Sequence, residues 1–419
     1  MRKKLLISIA VLSATSLSAQ QAIFVNGGQF GNPSNNVNLV SYDIPTNVYT
    51  TIDTIQTSSV QTLLIEGAIA YVAAQDSIVS YDLTTNTRIA AAGFNGPSTK
   101  GLAIYNNHLL VGNWYGKTID NLYIYDKTTL ALTDSISQIT KGVSNLLING
   151  DSLYVAQNYT SSAYSDSAGY ISVVDLTTMS YVRDIVFSNN DEGLGFLIKN
   201  SSNTGFYGIN TNSVIEYDYT SGNVTATPSA LRLSVGASKS TVKGDTLYLQ
   251  VNSNIGSMSL TTGSIIDTNL VAYTPTAFSV DTLNRKIYST STDFFSYKEG
   301  KVFDFNGVEL DTLIVGFSPE IVQLYYGNIT SIKNTTKELT SFSIYPNPAV
   351  DQVKVDVSNF KEYPSVLVSI TDISGKLVLQ KNHSTASMFD IKLEQLNSGI
   401  YLVTLQSEKN VGVQKLIVE

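Results

Sequence analysis

The sequence predicts an all-β protein in which seven four-stranded units close into a ring and a small β-sandwich follows. Two features of the composition favour strands and tight turns. Charged residues form only 14% of the 419 residues, against about 25% in an average globular protein, and the chain contains 25 Tyr and 28 Gly. The third observation is a strand pattern that recurs through residues 20–328, and it gives the number of units.

The recurring unit ends its third strand with an apolar or aromatic residue followed by Asp. This ending occurs at seven places, with Ser in place of Asp at one of them. The spacing is roughly 43 residues, within the range of four-stranded propeller blades. It therefore predicts a seven-bladed β-propeller over residues 20–328. The endings are Tyr42-Asp43, Tyr81-Asp82, Tyr125-Asp126, Val174-Asp175, Tyr217-Asp218, Met258-Ser259 and Phe303-Asp304.

The unit around Asp175 illustrates how the strands are assigned. Asn149-Gly150-Asp151 is the kind of turn that joins two antiparallel strands, and Thr177-Thr178 turns the chain into a fourth strand. The Asp175 carboxylate can accept backbone N–H bonds within that turn. We therefore expect the recurring Asp residues to build turns rather than to take part in catalysis. The predicted strands of this unit are 143–148, 153–157, 170–176 and 181–187.

The two ends of the repeat region predict how the ring closes. The first unit begins directly with a second strand, at residues 22–26, and lacks a first one. Residues 320–326 have a strand pattern but follow the complete seventh unit. We expect them to pair into the first blade, because closing the ring with strands from both ends removes exposed sheet edges. A polar linker at 329–341 then leads to a C-terminal domain at 342–419.

The first 19 residues have the order of a secretory signal peptide. Three basic residues at positions 2–4 precede an apolar run from Leu5 to Leu12, and small residues lead to Ala19. The apolar run is too short to span a bilayer as a helix. We therefore expect residues 1–19 to be a signal peptide that is cleaved from a secreted protein.

Cysteine content and charge exclude several classes of site and partner. The chain has no Cys, which excludes disulfides, thiolate metal ligands and a lipid-bearing cysteine behind the signal. The net charge of the chain is −8. Residues 20–341 alone carry −10, because the signal contributes +3 and residues 342–419 contribute −1. An acidic domain without a basic stripe argues against nucleic acid and anionic membranes as partners.

The last 78 residues predict a small all-β domain. Two prolines in a Tyr-Pro-Asn-Pro segment require an extended backbone. Val353, Val355 and Val357 then alternate with polar residues, which is the period of a half-buried strand. The spaced motif residues of this tail are Tyr345, Pro346, Asn347, Pro348, Gly375, Gly399, Tyr401 and Lys415.

The order of these motifs resembles the type A C-terminal sorting domain of the type IX secretion system. The resemblance implies recognition by the type IX machinery and export across the outer membrane of a gram-negative cell. It also implies removal of the tail, followed by attachment to the surface or release. An ordinary β-sandwich with its own ligand is the alternative, and it leaves the combined motifs unexplained.

Segments of the ring, such as Ala70-Tyr71-Val72-Ala73 and Leu153-Tyr154-Val155-Ala156, resemble the YVTN-type propeller family. The opening segment at 24–31 resembles the Asn-x-Gly-x-Phe-Gly opening of a related group of surface propellers. That group includes cobalamin-capturing proteins that assist outer-membrane transporters. The resemblance implies a propeller fold and makes such a transporter a candidate partner, although this chain lacks the lipid anchor of the cobalamin-binding members.

We expect a ligand at the face that carries the long loops between second and third strands. Positions directly after the second strands place amide, hydroxyl and aromatic groups around a central channel. Such groups suit a neutral, hydrogen-bonding small molecule or glycan, and the aromatic ones could stack on a ring. The alternative is that polar residues simply begin the loops. The candidate ligand-binding residues are Gln29, Gln75, Trp114, Tyr115, Asn158, Tyr159, Asn210 and Asn252.

The sequence offers little support for catalysis, and we predict no catalytic residue, metal site or cofactor. His108 stands in a predicted turn, and no metal-ligand spacing, nucleophile elbow or phosphate loop is recognisable. Propeller lactonases hold a channel metal with carboxylates, to which Glu66 and Glu320 could contribute. The leading hypothesis is a non-catalytic binding protein. The alternatives are a structural or adhesive surface protein and a channel-metal lactonase or hydrolase.

Overall fold

A computed structural model describes most of the chain. The chain divides into two compact units, residues 1–328 and 329–419. The predicted signal, at 1–19, lies outside the described residues. Among the residues that the structure describes, none belongs to a helix with the length and apolarity that a bilayer crossing requires. The described residues are 21–29, 32, 35–94, 98–114, 121–157, 170–186, 194–235, 239–282, 284–327, 338–360, 365–372, 377–385, 388–394, 396–407 and 410–419.

The first unit is a β-propeller, and its described residues form seven antiparallel sheets. Each sheet is a blade with four strand positions. The strands of blades 1 to 3 are β1 (Gln21–Asn26), β2 (Val37–Asp43), β3 (Val48–Ile55), β4 (Thr62–Glu66), β5 (Ile69–Ala74), β6 (Ser77–Asp82), β7 (Thr87–Gly93), β8 (Thr99–Tyr105), β9 (His108–Asn113), β10 (Leu122–Asp126) and β11 (Leu132–Ile136).

Blades 4 to 7 repeat the same order of strands. Blades 4 and 5 contain β12 (Val143–Asn149), β13 (Ser152–Gln157), β14 (Tyr170–Asp175), β15 (Ser180–Val186), β16 (Phe196–Lys199), β17 (Gly205–Ile209), β18 (Ser213–Asp218) and β19 (Val224–Pro228). Blades 6 and 7 contain β20 (Leu233–Ser234), β21 (Ser240–Lys243), β22 (Thr246–Val251), β23 (Asn254–Ser259), β24 (Ile265–Val271), β25 (Ala277–Asp281), β26 (Lys286–Thr290), β27 (Tyr297–Asp304) and β28 (Glu309–Phe317).

Strands from the two ends of the repeat region close the ring. Strand β29 (Pro319–Tyr325) pairs antiparallel with β1 and supplies the missing first strand of blade 1. Phe24 on β1 lies opposite Val322 on β29. The prediction that the last strand completes the first blade is therefore confirmed. Blade 6 departs from the pattern, because β20 and β21 share its first position and both pair with β22.

Apolar clusters between neighbouring blades hold the ring together. Side chains along a strand point alternately to its two faces, so each blade contributes to the cluster on either side. The described residues include one cluster for every pair of neighbours, including blades 7 and 1. Phe24 is fully buried between blades 7 and 1, and Tyr81 between blades 1 and 2. The fourth strands carry mostly exposed side chains, as outer edges should.

The recurring Asp residues build turns, as the sequence predicts. In blade 4 the Asp175 carboxylate accepts bonds from Thr177 N at 2.8 Å and from Thr177 Oγ1 at 2.6 Å. These bonds, led by the hydroxyl, lower the pKa of Asp175. In blade 6 the hydroxyl of Ser259 accepts the corresponding bond from Thr261 N at 3.2 Å. Equivalent backbone bonds reach Asp43, Asp82, Asp126, Asp218 and Asp304.

The second unit consists of two packed sheets. The smaller sheet contains β31 (Ser343–Tyr345), β32 (Gln352–Asp356) and β35 (Phe389–Lys392). The larger sheet contains β30 (Glu338–Leu339), β33 (Ser365–Asp372), β34 (Leu377–Ser384), β36 (Gly399–Gln406) and β37 (Asn410–Val418). A 3-10 turn, Ser358–Phe360, follows β32. Val353 and Val355 are fully buried in one core with Val368, Val403 and Leu405 of the larger sheet.

Several sorting-motif residues hold this second unit together. Asn347 donates its Nδ2–H to the carbonyl of Lys415 at 2.6 Å and accepts a bond from Ile417 N at 2.9 Å, so it ties the proline segment to β37. The peptide bonds before Pro346 and Pro348 are cis. Tyr345 donates its hydroxyl to Met388 Sδ at 3.2 Å.

Two other motif residues, Gly399 and Tyr401, lie at the start of β36. Tyr401 is buried and donates its hydroxyl to the Asn397 carbonyl at 2.8 Å. A side chain at Gly399 would contact the Tyr401 ring at 3.7 Å. Gly375 lies outside the described residues. These contacts give Tyr345, Asn347 and Tyr401 a structural role that is independent of recognition by the secretion machinery.

Candidate functional site

The strongest candidate site is a cavity of about 370 Å³ in the propeller, between blades 6, 7, 1 and 2. Its lining residues stand where first strands begin and second strands end, which in an antiparallel blade is one face. This is the face that the sequence predicts to be rich in loops. The volume is in the range of sites that hold small molecules. The lining residues are Val60, Gln61, Lys239, Gln250, Thr274, Pro275, Thr276, Ser291, Thr292, Phe294, Glu320 and Ile321.

Glu320 is the acidic group of this cavity, and the ring-closing strand β29 positions it. Its carboxylate accepts a bond from Ser318 Oγ at 2.9 Å. It also occupies the space beside Gly27, where a Cβ atom would come within 1.7 Å of Glu320 Oε1. Gly27 is held there because its N–H donates to the Ser318 carbonyl at 2.7 Å. Burial raises the pKa of Glu320 to about 7, so near neutral pH the group can either accept or donate a hydrogen bond.

Lys239 is the basic group, and it lies directly before β21 in blade 6. Its Nζ lies 3.4 Å from Oε1 of Gln250, a residue of β22 that is only 7% exposed. Burial, and secondarily the nearby Arg232, lower the pKa of Lys239. The cavity therefore presents an acid and a base, each held in surroundings that favour its neutral form.

Amide and hydroxyl groups of blades 2 and 7 supply the remaining polar lining. Gln61 Oε1 accepts a bond from Gln75 N, and its Nε2–H donates to Ser59 Oγ at 2.9 Å. In blade 7, Thr276 Oγ1 accepts a bond from Thr292 N at 3.0 Å. These bonds fix the orientation of the side chains before any ligand arrives. A preformed set of donors and acceptors loses little entropy on binding.

Two predicted residues, Gln29 and Gln75, lie on this face and bond within it. Gln29 Oε1 accepts bonds from Asn32 Nδ2 at 3.0 Å and from Asn35 Nδ2 at 2.9 Å, inside the loop of blade 1. Gln75 has a left-handed backbone, with φ of 51°, and its Oε1 accepts a bond from Ser58 N at 3.2 Å. Both glutamines order loops beside the cavity but do not line it.

Asn210 and Asn252 also bond to backbone within their own blades. Asn210 is buried, and its Oδ1 accepts bonds from Asn212 N and Ser213 N. Asn252 Oδ1 accepts a bond from Arg232 N at 3.0 Å, which ties the second strand of blade 6 to the segment that enters that blade. Their position after a second strand therefore has a structural use, and their ligand-binding role remains a prediction.

Trp114 directly follows β9, and a lysine covers one face of its indole. Lys100 Nζ is 3.5 Å from the ring centroid. Burial lowers the pKa of Lys100 to about 8. Three other candidate ligand-binding residues, Tyr115, Asn158 and Tyr159, lie outside the described residues.

The two inner-strand glutamates, Glu66 and Glu320, stand at opposite ends of their strands. Glu66 ends β4 at the tight-turn face and forms an ion pair with Lys127 at 2.9 Å, whereas Glu320 lies at the start of β29 at the loop face. Within the described residues, no three His, Cys, Asp or Glu side chains are grouped so that they could hold a metal ion. The structure therefore does not bring this pair of glutamates together.

Sequence reasoning did not select most of the residues that line the cavity as ligand-binding residues. Lys239, Gln61 and Thr276 precede first strands, whereas the prediction used only positions that follow second strands. Residues before first strands and residues after second strands lie on the same face of the propeller. A search of both positions in each blade would therefore have found the lining residues. Ser291 and Thr292 do occupy the predicted equivalent positions in blade 7, and both line the cavity.

Comparison with known protein families identifies the tail. Residues 343–419 match the model of the secretion system C-terminal sorting domain. The protein is therefore exported by the type IX route, and its location is outer-membrane-associated or secreted. A search of curated protein sequences found no match.

Comparison with solved structures supports the fold of the first unit. A protein from Lactobacillus plantarum aligns with a TM-score of 0.53 and 14% identity, over 74% of this chain and 100% of its own. A Bacteroides fragilis protein, provisionally assigned as a 6-phosphogluconolactonase, aligns with a TM-score of 0.51 and 13% identity, over 74% of this chain and 99% of its own. At such low identity these similarities establish the fold alone.

Proposed function

We propose that this exported propeller is a non-catalytic binding protein that captures a small molecule or glycan at its loop-rich face. In this proposal residues 1–19 are removed as a signal peptide and residues 20–328 form the binding domain. Residues 342–419 serve export and are joined to the propeller by the linker at 329–341. An outer-membrane transporter that receives the captured molecule is a candidate partner.

The observation that carries the proposal is the cavity of about 370 Å³ at this face. Its walls combine glutamine and threonine side chains with one acid, one base and the ring of Phe294. Such a mixture supports recognition of a ligand rich in hydrogen-bonding groups, because each polar group can pair while the aromatic ring contacts an apolar surface. The predicted residues Gln29, Gln75, Asn210 and Asn252 contribute in this proposal by shaping the loops around the cavity.

The test is direct analysis of the purified secreted protein. We expect native mass spectrometry to detect a captured organic ligand, or calorimetric screening of a metabolite and glycan library to find one. The variant Ser291→Trp fills the cavity and should abolish that binding, whereas Thr220→Trp on an exposed turn of blade 5 should not. Binding that survives Ser291→Trp would show that the ligand site lies elsewhere.

The same purified protein distinguishes the two other functions considered. A stoichiometric divalent ion together with hydrolysis of a lactone would replace the proposal with a channel-metal hydrolase. Adhesion to cells or polymers that is unchanged in Ser291→Trp would favour a structural or adhesive role for the disc.

A further inference from the structure

We propose that the loop at residues 293–297 of blade 7 is a second subsite, which binds the continuation of a sugar chain whose end lies in the cavity. This inference rests on the proposed function and specifies its ligand as an oligosaccharide. The loop has the sequence Asp293-Phe294-Phe295-Ser296-Tyr297.

The loop exposes three large aromatic rings, and one of them lines the cavity. Phe294 is 51% exposed, Phe295 70% and Tyr297 76%. Burying an aromatic side chain is a major source of stability in a folded protein, and three exposed rings within four residues are therefore costly unless a partner covers them. The exposed aromatic surface marks this loop as a binding surface.

The loop runs outward from the cavity along blade 7. Phe294 lines the cavity itself. Tyr297 begins β27 and packs edge-to-face against Phe317 of the outermost strand β28, with ring centroids 5.5 Å apart. The loop joins β26, the second strand of the blade, to β27, the third, and Tyr297 contacts the fourth, so these groups span roughly 10 Å of the blade. The loop therefore forms a track that leads from the cavity toward the rim of blade 7.

Hydrogen bonds hold the loop in one conformation. The Asp293 carboxylate accepts bonds from Phe295 N at 2.9 Å and from Ser296 Oγ at 2.9 Å, and forms an ion pair with Lys298 at 2.9 Å. The pKa of Asp293 is lowered, chiefly by the bond from Lys298, so the carboxylate stays ionised at neutral pH. These contacts order the exposed rings without the help of a ligand.

Hydrogen bonds also join the loop to Ser318, which directly precedes the ring-closing strand β29, and to Thr292 of the cavity wall. Ser318 N donates to the Ser296 carbonyl at 3.0 Å, and Phe294 N donates to Thr292 Oγ1 at 2.9 Å. Phe294 itself has a φ of 67°, a left-handed backbone that an aromatic residue adopts only at an energetic cost. The surrounding bonds maintain this strained conformation, and it presents the Phe294 ring beside the cavity.

The combination of groups identifies an oligosaccharide as the occupant. The flat faces of sugar rings carry C–H groups that can lie against aromatic rings, while their edges carry hydroxyls. The track supplies Phe294, Phe295 and Tyr297 for the faces. The cavity supplies amide, hydroxyl and carboxyl groups for the edges of the terminal residue. The continuity of the two surfaces at Phe294 favours one extended ligand over two independent ones.

A comparison of chain lengths tests the proposal. The secreted protein would be screened on an array of plant, algal and bacterial glycans, and isothermal calorimetry would then measure the bound glycan against its terminal monosaccharide. In Phe295→Ala/Tyr297→Ala, which leaves the cavity intact, we expect the affinity for the longer chain to fall about tenfold or more. The weaker affinity for the monosaccharide should not change.

Two further variants make the result interpretable. Leu132→Ala/Ile266→Ala removes exposed apolar side chains from the outer strands of blades 3 and 6, and it should bind the chain like the wild type. Phe295→Ala alone leaves the Tyr297–Phe317 contact in place, so a threefold or larger loss of affinity in this variant cannot come from disturbed packing.

Three outcomes would overturn the inference. Full affinity of Phe295→Ala/Tyr297→Ala for the longer chain, with binding lost in Ser291→Trp, would leave the cavity site standing and reject the track. Binding of a hydrophobic peptide or of phosphatidylcholine vesicles, with no glycan bound, would show that the aromatic loop serves another class of partner. A protein that binds no glycan but does bind a small metabolite in the cavity would reject the oligosaccharide and keep the proposed function.

Discussion

Replacing Glu320 by Gln should remove much of the pH dependence of the propeller's stability. Glu320 lies at the start of β29, the strand that closes the ring, and its half-buried side chain packs against Gly27. Gln has the same shape as a protonated Glu and cannot ionise. The variant therefore isolates the cost of placing a negative charge at this point of the fold.

The magnitude follows from the pKa of Glu320. Burial raises this pKa from 4.5 to about 7. Because the folded-state pKa lies above the unfolded one, the folded state holds the proton more tightly, and stability falls as the pH rises from 4.5 to 7. At 1.36 kcal/mol per pH unit, the loss is about 3 kcal/mol. It is absent below pH 4.5 and complete above pH 7.

The assay is urea unfolding of wild type and Glu320→Gln at half-unit steps from pH 4.5 to 8. Trp114 is the only Trp in the chain and lies in blade 3, so its fluorescence reports on the propeller and not on the C-terminal unit. We expect the free energy of unfolding of the variant, relative to wild type, to increase by about 3 kcal/mol across this range.

A control separates this effect from the general acid response of an acidic protein. Glu216→Gln changes an exposed glutamate on β18, so its unfolding curves should follow those of the wild type at every pH. If the free energy of unfolding of Glu320→Gln also changes with pH as that of the wild type does, then the fold does not hold Glu320 in its neutral form.

Three other predictions follow from single contacts. Phe24→Ala should lower the unfolding free energy by about 3–5 kcal/mol in urea titrations, because Phe24 is fully buried between blades 7 and 1. Gly27→Ala should lower the melting temperature because its Cβ would displace the Glu320 carboxylate from its bond with Ser318 Oγ; adding Glu320→Ala should restore part of the loss, and purely additive effects would refute the clash. Asn347→Ala should cost the C-terminal unit roughly 1–3 kcal/mol in calorimetry, since two bonds to β37 are lost, while the propeller transition stays in place.

Local chemistry made the fold predictable from the sequence. Asp175 and its counterparts bond the turn that immediately follows them, so the blade endings can be recognised without any knowledge of distant residues. Hairpins such as Asn149-Gly150-Asp151 are equally local. The ring closure was predictable too, because the first unit lacks a first strand and residues 320–326 form a strand without a partner in the last unit. An unpaired sheet edge needs a partner, and each of these two edges supplies one to the other. The separate C-terminal domain followed from motifs that now match the sorting family.

The candidate site was less predictable because it depends on contacts between blades. Gln75 and Asn252 have the residue types of ligand-binding groups, but their carbonyl oxygens accept backbone bonds that hold incoming chain segments. Which amide faces the channel depends on how neighbouring blades are packed, and the sequence of one blade does not contain that information.

The sequence by itself therefore determined the export route, the all-β class and the order of strands, because each depends on motifs or on residues that are close in the chain. The tertiary structure alone decided that Lys239, Gln250, Phe294 and Glu320 surround one cavity. These residues come from three blades, and Glu320 reaches its place beside Gly27 only when the two ends of the propeller meet. A site assembled by ring closure has no spacing in the sequence by which it could be recognised.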